Sequence, residues 1–237
     1  MRAWNTPKIW DNGECWIIGG GPSITQQFHI PENVIEAVRA KRLPLSAYSP
    51  YMESIHSKHI IGVNMAFQLG NWVDFCFFGD DGWFRDHRKE LAQFTGVRVS
   101  CAPMFSKNTY HADNGERIKY LAQDPKKSHG ISEVPYTVCW NANSGAAAIS
   151  LASHLGAKKI VLLGFDMQLD PNGNSHWHKE YQMNPAKRSV FPRHLRGFPI
   201  IAADAKRMGI EILNASPESV IDDFPKMTVE AILNGSP

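Results

Sequence analysis

Residues 15–24, CWIIGGGPSI, run an apolar segment straight into three glycines, a proline and a serine. A short, near-continuous apolar run of this kind fits a strand buried on both faces. The bend after it stands beyond the strand's carboxyl end, where open α/β sheets bind their ligands. The pattern recurs in HIIGVN (59–64), VDFCFFG (73–79), VRVSCA (97–102), KIVLLGF (159–165) and IEILNA (210–215). Between these runs, PENVIEAVRAKR, DHRKELAQF, SGAAAISLASHLG and PIIAADAKRMG carry helical spacing. The last two end on Gly156 and Gly209, the residue type that closes helices in the left-handed conformation. The alternation predicts an α/β, Rossmann-like doubly wound fold, with a mainly parallel sheet and helices on both faces.

At 237 residues, 43% hydrophobic and 20% charged, with no linker or repeat, the chain reads as one domain over residues 1–237. Its net charge of +2 gives no electrostatic ground for a nucleic-acid partner. No apolar run approaches the roughly 20 residues of a membrane helix, and no signal pattern opens the chain, so a cytoplasmic protein is expected. Cys15, Cys76, Cys101 and Cys139 lack C-x-x-C spacing and read as reduced core residues. Two segments, 103–137 and 167–198, exceed ordinary connections and are expected to be lids over a site. Lys187, Arg188, Arg193, Arg196, Lys206 and Arg207 face the single acid Asp204, which makes either a solvated basic face or a clamp for phosphates.

Chemistry concentrates at the predicted strand ends. Gly19, Gly20 and Gly21 let a phosphate approach the backbone, Pro22 suits a first helical turn, and Ser23 offers a hydroxyl. The bend lacks the third glycine of a dinucleotide fingerprint and the Gly-Lys-Ser/Thr of a P-loop, so a purely structural turn stays open. If it does cradle phosphate, Gly21→Val should abolish nucleotide binding and leave the fold intact. Asn64 ends the second run, where a carboxamide can read a base or ribose. Asp80 and Asp81 end the third; they are candidate Mg²⁺ ligands, or a helix cap and turn. Trp83 and Phe84 would stack on a base or lie in the core. Asn143, Ser144 and Gly145 open a helix whose free amides suit an anion, and Asp166 closes the next strand.

In GNSHWH (173–178), His176 and His178 are two apart and point the same way on an extended segment. They would serve as a general base or as a metal pair, and Trp177 would offer its face to a sugar. Near Asp166 or Asp170, such a base is expected to titrate at or above about 6.5.

The succession of GGGPS, VNMAF, DFCFFGD, NSGAAA, LLGFDM and NSHWH resembles a family of small phage-encoded proteins over roughly residues 14–225. It is also similar to the wider group of archaeal hydroxymethyl-dihydropterin diphosphokinase and motility-accessory flagellin glycosyltransferases. More distantly it resembles the small bacterial sialyltransferases that use CMP-sialic acid. The resemblance implies a nucleotide-dependent transferase, foremost a glycosyltransferase using a nucleotide-activated sugar, in the host cytoplasm if phage-encoded. The alternatives are a Mg²⁺/ATP diphosphokinase acting on a small heterocycle, with Asp80, Asp81 and Asp166 on the metal, and a non-catalytic nucleotide-binding module. The sialyltransferase-like pattern implies that Gly19–Ser23 cradle phosphate, Asn64 contacts the nucleotide, Ser144 and Gly145 hold phosphate, and His194 is the base. Asp80 stands where those enzymes carry an asparagine. The phage-type pattern instead points to His176 and His178.

Overall fold

The computed structural model describes residues 3–106, 117–180 and 189–235. Nine strands are described: β1 (Glu14–Ile18), β2 (His59–Val63), β3 (Phe75–Phe78), β4 (Val97–Ser100), β5 (Ile118–Tyr120), β6 (Ala122–Gln123), β7 (Thr137–Val138), β8 (Lys159–Leu163) and β9 (Glu211–Asn214). Seven of them form one parallel sheet in the order β5-β4-β3-β2-β1-β8-β9, and β6 pairs with β7 separately. The chain lays strands outward on one side of β1 and then resumes on the other with β8. That reversal is a topological switch point, where doubly wound sheets open a crevice at their carboxyl edge.

Seven α-helices are described: α1 (Ser23–Gln27), α2 (Glu32–Arg39), α3 (Asp81–Leu91), α4 (Ser144–Leu155), α5 (Phe191–Leu195), α6 (Phe198–Met208) and α7 (Val229–Leu233). Side chains alternate across each strand, so the sheet feeds two cores. Trp16, Ile18, Cys76 and Phe78 face α1, α2, α3 and α7. Cys15, Ile17, Phe75 and Phe77 face α4 and α6. In α4, Gly145, Ala146, Ala147 and Ala148 are all buried. These small residues let the helix press against the sheet: a Cβ on Gly145 would lie 2.9 Å from the Phe165 ring. Both predicted helix stops hold, with Gly156 at φ 104° and Gly209 at φ 61°.

The four cysteines are buried thiols. Burial pushes Cys76 and Cys101 far up and Cys139 to about 12, so none is poised as a nucleophile. Among the described residues no helix is long and apolar enough to cross a membrane.

Of the segment 103–137 expected to be a lid, residues 107–116 lie outside the described residues, and the described parts do not form one. Ile118–Tyr120 adds an edge strand to the sheet, and Lys127 and Ile131 bind Asp204 of α6. None of its described residues lines the cavity below. Of the two readings of the basic segment, the described residues favour a solvated basic face over a clamp. Lys206 and Arg207 end α6, which runs back along the sheet for roughly 16 Å at 1.5 Å per residue, away from the carboxyl edge. Arg207 is taken by Glu133 at 2.8 Å and Asp204 at 3.1 Å. Of that segment Arg193 reaches the cavity; Lys187 and Arg188 lie outside the described residues.

Candidate functional site

A cavity of about 570 Å³ opens at the carboxyl edge of the sheet around the switch point. That volume suits a ligand of nucleotide size. Of the residues singled out from sequence, it gathers Gly19, Gly20 and Gly21, Asn64, Asp80 and Asp81, Asn143, Ser144 and Gly145, Asp166, His176, His178 and His194. Pro22 and Ser23 are not among its walls. Ser23 is buried, and its hydroxyl meets the Ser216 hydroxyl at 3.0 Å.

The glycine bend is not an open cradle. Gly19 N–H donates to Leu163 and Gly21 N–H to Gly164, each at 2.8 Å, so both amides are spent across the β1–β8 seam. The buried Asp166 carboxylate fills the remaining space and accepts from Ser23 N–H at 3.3 Å. A side chain at Gly21 would overlap that carboxylate and would lie 2.7 Å from the Gly164 carbonyl; one at Gly20 would lie 2.5 Å from His176. The protein's own carboxyl group thus sits against Gly21, while Gly19, Gly20 and Gly21 all line the cavity. Burial raises the Asp166 pKa, and the bonds from Ser23 oppose this.

The expectation for Gly21→Val changes accordingly, since the substitution collides with the protein itself. Even Gly21→Ala is expected to cost about 1–3 kcal/mol, the usual range for overpacking. A urea-unfolding cycle with Asp166→Ala should give a coupling above about 0.5 kcal/mol; strict additivity would contradict the contact.

The segment 170–178 is strapped down by its own chemistry. Asp170 accepts from Asn174 N–H and Nδ2, both at 2.7 Å, which closes a turn. Trp177 then enters the core, 0% exposed, against Tyr48. Its indole N–H donates to the Gly19 carbonyl and its backbone N–H to the Gly20 carbonyl, each at 3.0 Å. The Tyr48 hydroxyl and the Arg39 guanidinium donate, both at 3.4 Å, to the carbonyls of Trp177 and His176. Trp177 is therefore a buried peg and not a platform for a sugar. His176 and His178 flank this peg on a bent segment and both line the cavity, with ring centroids 5.3 Å apart.

The expected upward shift of these histidines is overturned. Burial, with His194 nearby, lowers His176 to about 4. Burial, with His176, His87 and Arg39 nearby, lowers His178 to about 3. Burial and the adjacent Arg193 lower His194 to about 4. At neutral pH all three are uncharged imidazoles.

On the opposite wall, Asp80 begins α3 without capping it. Its Oδ2 accepts from the Ser144 hydroxyl at 3.4 Å, and burial raises its pKa. Asp81 accepts from Met104 N–H at 3.1 Å. Among the described residues no three His, Cys, Asp or Glu side chains group to hold a metal ion, so Asp166 does not join Asp80 and Asp81 in a three-carboxylate set. The α4 N-terminus is largely self-capped: Asn143 Oδ1 accepts from Gly145 N–H at 2.9 Å and Ala146 N–H at 3.3 Å. The Gly145 and Ala146 amides are thereby occupied.

Sequence reasoning missed Trp140 and His87, which also line the cavity. Gly79 carried a signal for Trp140, since any side chain there would overlap the indole ring. Trp83 lines the cavity as well, whereas Phe84 is a core residue.

Fold and cavity together define a Rossmann-like α/β chain with a ligand-sized site at its switch point. Solved structures of this fold include the MAf glycosyltransferase from Magnetospirillum magneticum AMB-1, with a TM-score of 0.58 at 13% identity over 97% of this chain. They also include the sialyltransferase CstII from Campylobacter jejuni in complex with cytidine-5′-monophosphate, with a TM-score of 0.50 at 15% identity, covering 91% of this chain and 84% of that one. The chain spans 35% of the MAf enzyme's length. No protein-family model matches the chain, and no curated protein matches it in sequence.

Proposed function

We propose that the protein is a glycosyltransferase that uses a nucleotide-activated sugar. The observation that carries this reading is the single cavity in which Asn64, Asp80, Ser144, Arg193 and three neutral histidines converge at the carboxyl edge of a parallel sheet. The likeness in fold to MAf glycosyltransferase and to CstII, which was solved with cytidine-5′-monophosphate, supports it.

In the proposed reaction an acceptor hydroxyl oxygen bonds to the anomeric carbon as the bond from that carbon to the phosphate oxygen breaks. The nucleotide leaves with the electron pair, and the hydroxyl proton passes to an imidazole. We assign that imidazole to His194, which is half-buried on α5 beside Arg193, whereas His178 is buried. Arg193 stabilises the charge that develops on the leaving phosphate. A bound phosphate beside His194 would raise its pKa from about 4 toward a useful range for a base.

The test is turnover of CMP-, UDP- and GDP-activated sugars, with and without EDTA. His194→Ala is expected to slow transfer by roughly 100-fold or more, the usual contribution of a general base. His176→Ala or His178→Ala abolishing turnover, with His194→Ala fully active, would move the base to that residue. Turnover of Mg²⁺-ATP, with none of any sugar nucleotide, would replace this reading by the diphosphokinase.

A further inference from the structure

We infer that the α3 side of the cavity reads a pair of adjacent hydrogen-bond donors on the uncharged part of the nucleotide, and that Asp80 is the residue selecting for them. The inference rests on the nucleotide reading above. Three polar groups converge there. Asp80 is a pure acceptor when ionised; one of its oxygens takes the Ser144 hydroxyl, and a carboxylate has acceptor sites beyond that. Asn64 follows the end of β2 in the left-handed conformation, φ 53°, and its Oδ1 is buried with no hydrogen-bond partner among the described residues. Trp83, on the first turn of α3, likewise buries its indole N–H without a partner among the described residues.

Buried polar atoms in native structures are nearly always satisfied, so two orphans on the wall of one ligand-sized cavity point to partners that the ligand supplies. The set offers two acceptors, Asp80 and Asn64, and one donor, Trp83. A phosphate does not fit it, because a phosphate brings acceptors and negative charge to a carboxylate. The phosphate belongs on the other wall with Arg193.

Two parts of a nucleotide carry adjacent donors of this kind: the ribose 2′,3′-diol, and the N1–H and N2–H₂ edge of guanine. Both would meet the Asp80 carboxylate in a paired, charge-assisted geometry.

The experiment is calorimetric titration of the whole protein and of Asp80→Asn with GMP, IMP, AMP, CMP and UMP, and with their 2′- and 3′-deoxy forms. Asp80→Asn keeps size and shape but turns an N–H₂ toward the ligand, and a thermal melt confirms that it is folded. It is expected to weaken the preferred nucleotide roughly 10- to 100-fold. If the diol is read, deoxy forms bind the wild type at least about 10-fold more weakly and bind the variant no more weakly than the ribonucleotides do. If guanine is read, GMP exceeds IMP and AMP by a similar factor in the wild type alone. Asp80→Asn binding every nucleotide as tightly as the wild type, or more tightly, overturns the inference, because the carboxylate would then face phosphate or nothing. A uniform loss, insensitive to diol and base, overturns it as well. Failure of every nucleotide to bind the folded wild type defeats the nucleotide reading itself, and this inference with it.

Discussion

Trp177→Ala is expected to destabilise the protein by about 3–5 kcal/mol, the range for truncating a buried indole. Against a typical domain stability of about 5–15 kcal/mol, that is a large share of the whole. The side chain is fully buried, and it ties the glycine bend to the histidine segment through its bond to the Gly19 carbonyl. Losing it leaves a cavity under the site, strands that carbonyl, and frees His176 and His178 from their facing direction. Nucleotide binding should fall with stability. Trp177→Phe keeps a ring but cannot donate, so it should lie between wild type and alanine in a urea titration. If Trp177→Ala unfolds at the wild-type midpoint, the peg account is wrong.

Acid should unfold the protein early. His176 and His178 have folded pKa values of about 4 and 3, below the unfolded value of about 6.5. Above pH 6.5 both states hold neutral imidazoles and these groups contribute nothing to the pH dependence. Below it the unfolded chain takes protons that the folded chain refuses, so stability falls as pH falls. Each such imidazole contributes a slope of up to about 1.4 kcal/mol per pH unit between about 6.5 and the folded pKa. His154, lowered by burial while it bonds the Thr137 carbonyl, adds in the same direction. Nearer pH 4 the slope should blunt, because the raised carboxyls of Asp80 and Asp166 take protons in the folded state. The check is a series of urea midpoints from pH 8 to pH 4.5. The loss should shrink in a folded His176→Ala/His178→Ala double variant. A flat series would show that the two rings are not held neutral by burial.

The parallel sheet was legible because its strands are buried on both faces and so read as continuous apolar runs, and the glycines after α4 and α6 marked their ends. The edge strand Ile118–Tyr120 was not legible: it is three residues long and sits in a polar stretch. The residues at the strand ends could be named because the carboxyl edge of such a sheet is fixed by topology. Their roles were less accessible. GGGPS could not disclose that Asp166, 145 residues after Gly21, would fill the bend, because that contact exists only once β8 lies beside β1. In NSHWH the two-residue spacing of the histidines marked out two residues that both line the cavity, although residues 175–180 bend and do not run extended. It could not give their burial, which follows from Trp177 pairing with Gly19 and Gly20. That burial reversed the sign of the expected pKa shift.

The central claim is that a sugar nucleotide occupies the cavity at the carboxyl edge. Imidazole ¹⁵N NMR of the protein titrated with CMP-, UDP- and GDP-activated sugars tests it most directly, since His87, His176, His178 and His194 line that cavity and His59 lies at the opposite edge, stacked on Trp10. One of these donors is expected to shift the ring signals of His176, His178 and His194 saturably, with His194 moving toward the protonated form at neutral pH, while His59 stays still. Saturable binding that leaves the rings of His176, His178 and His194 unmoved would contradict the account.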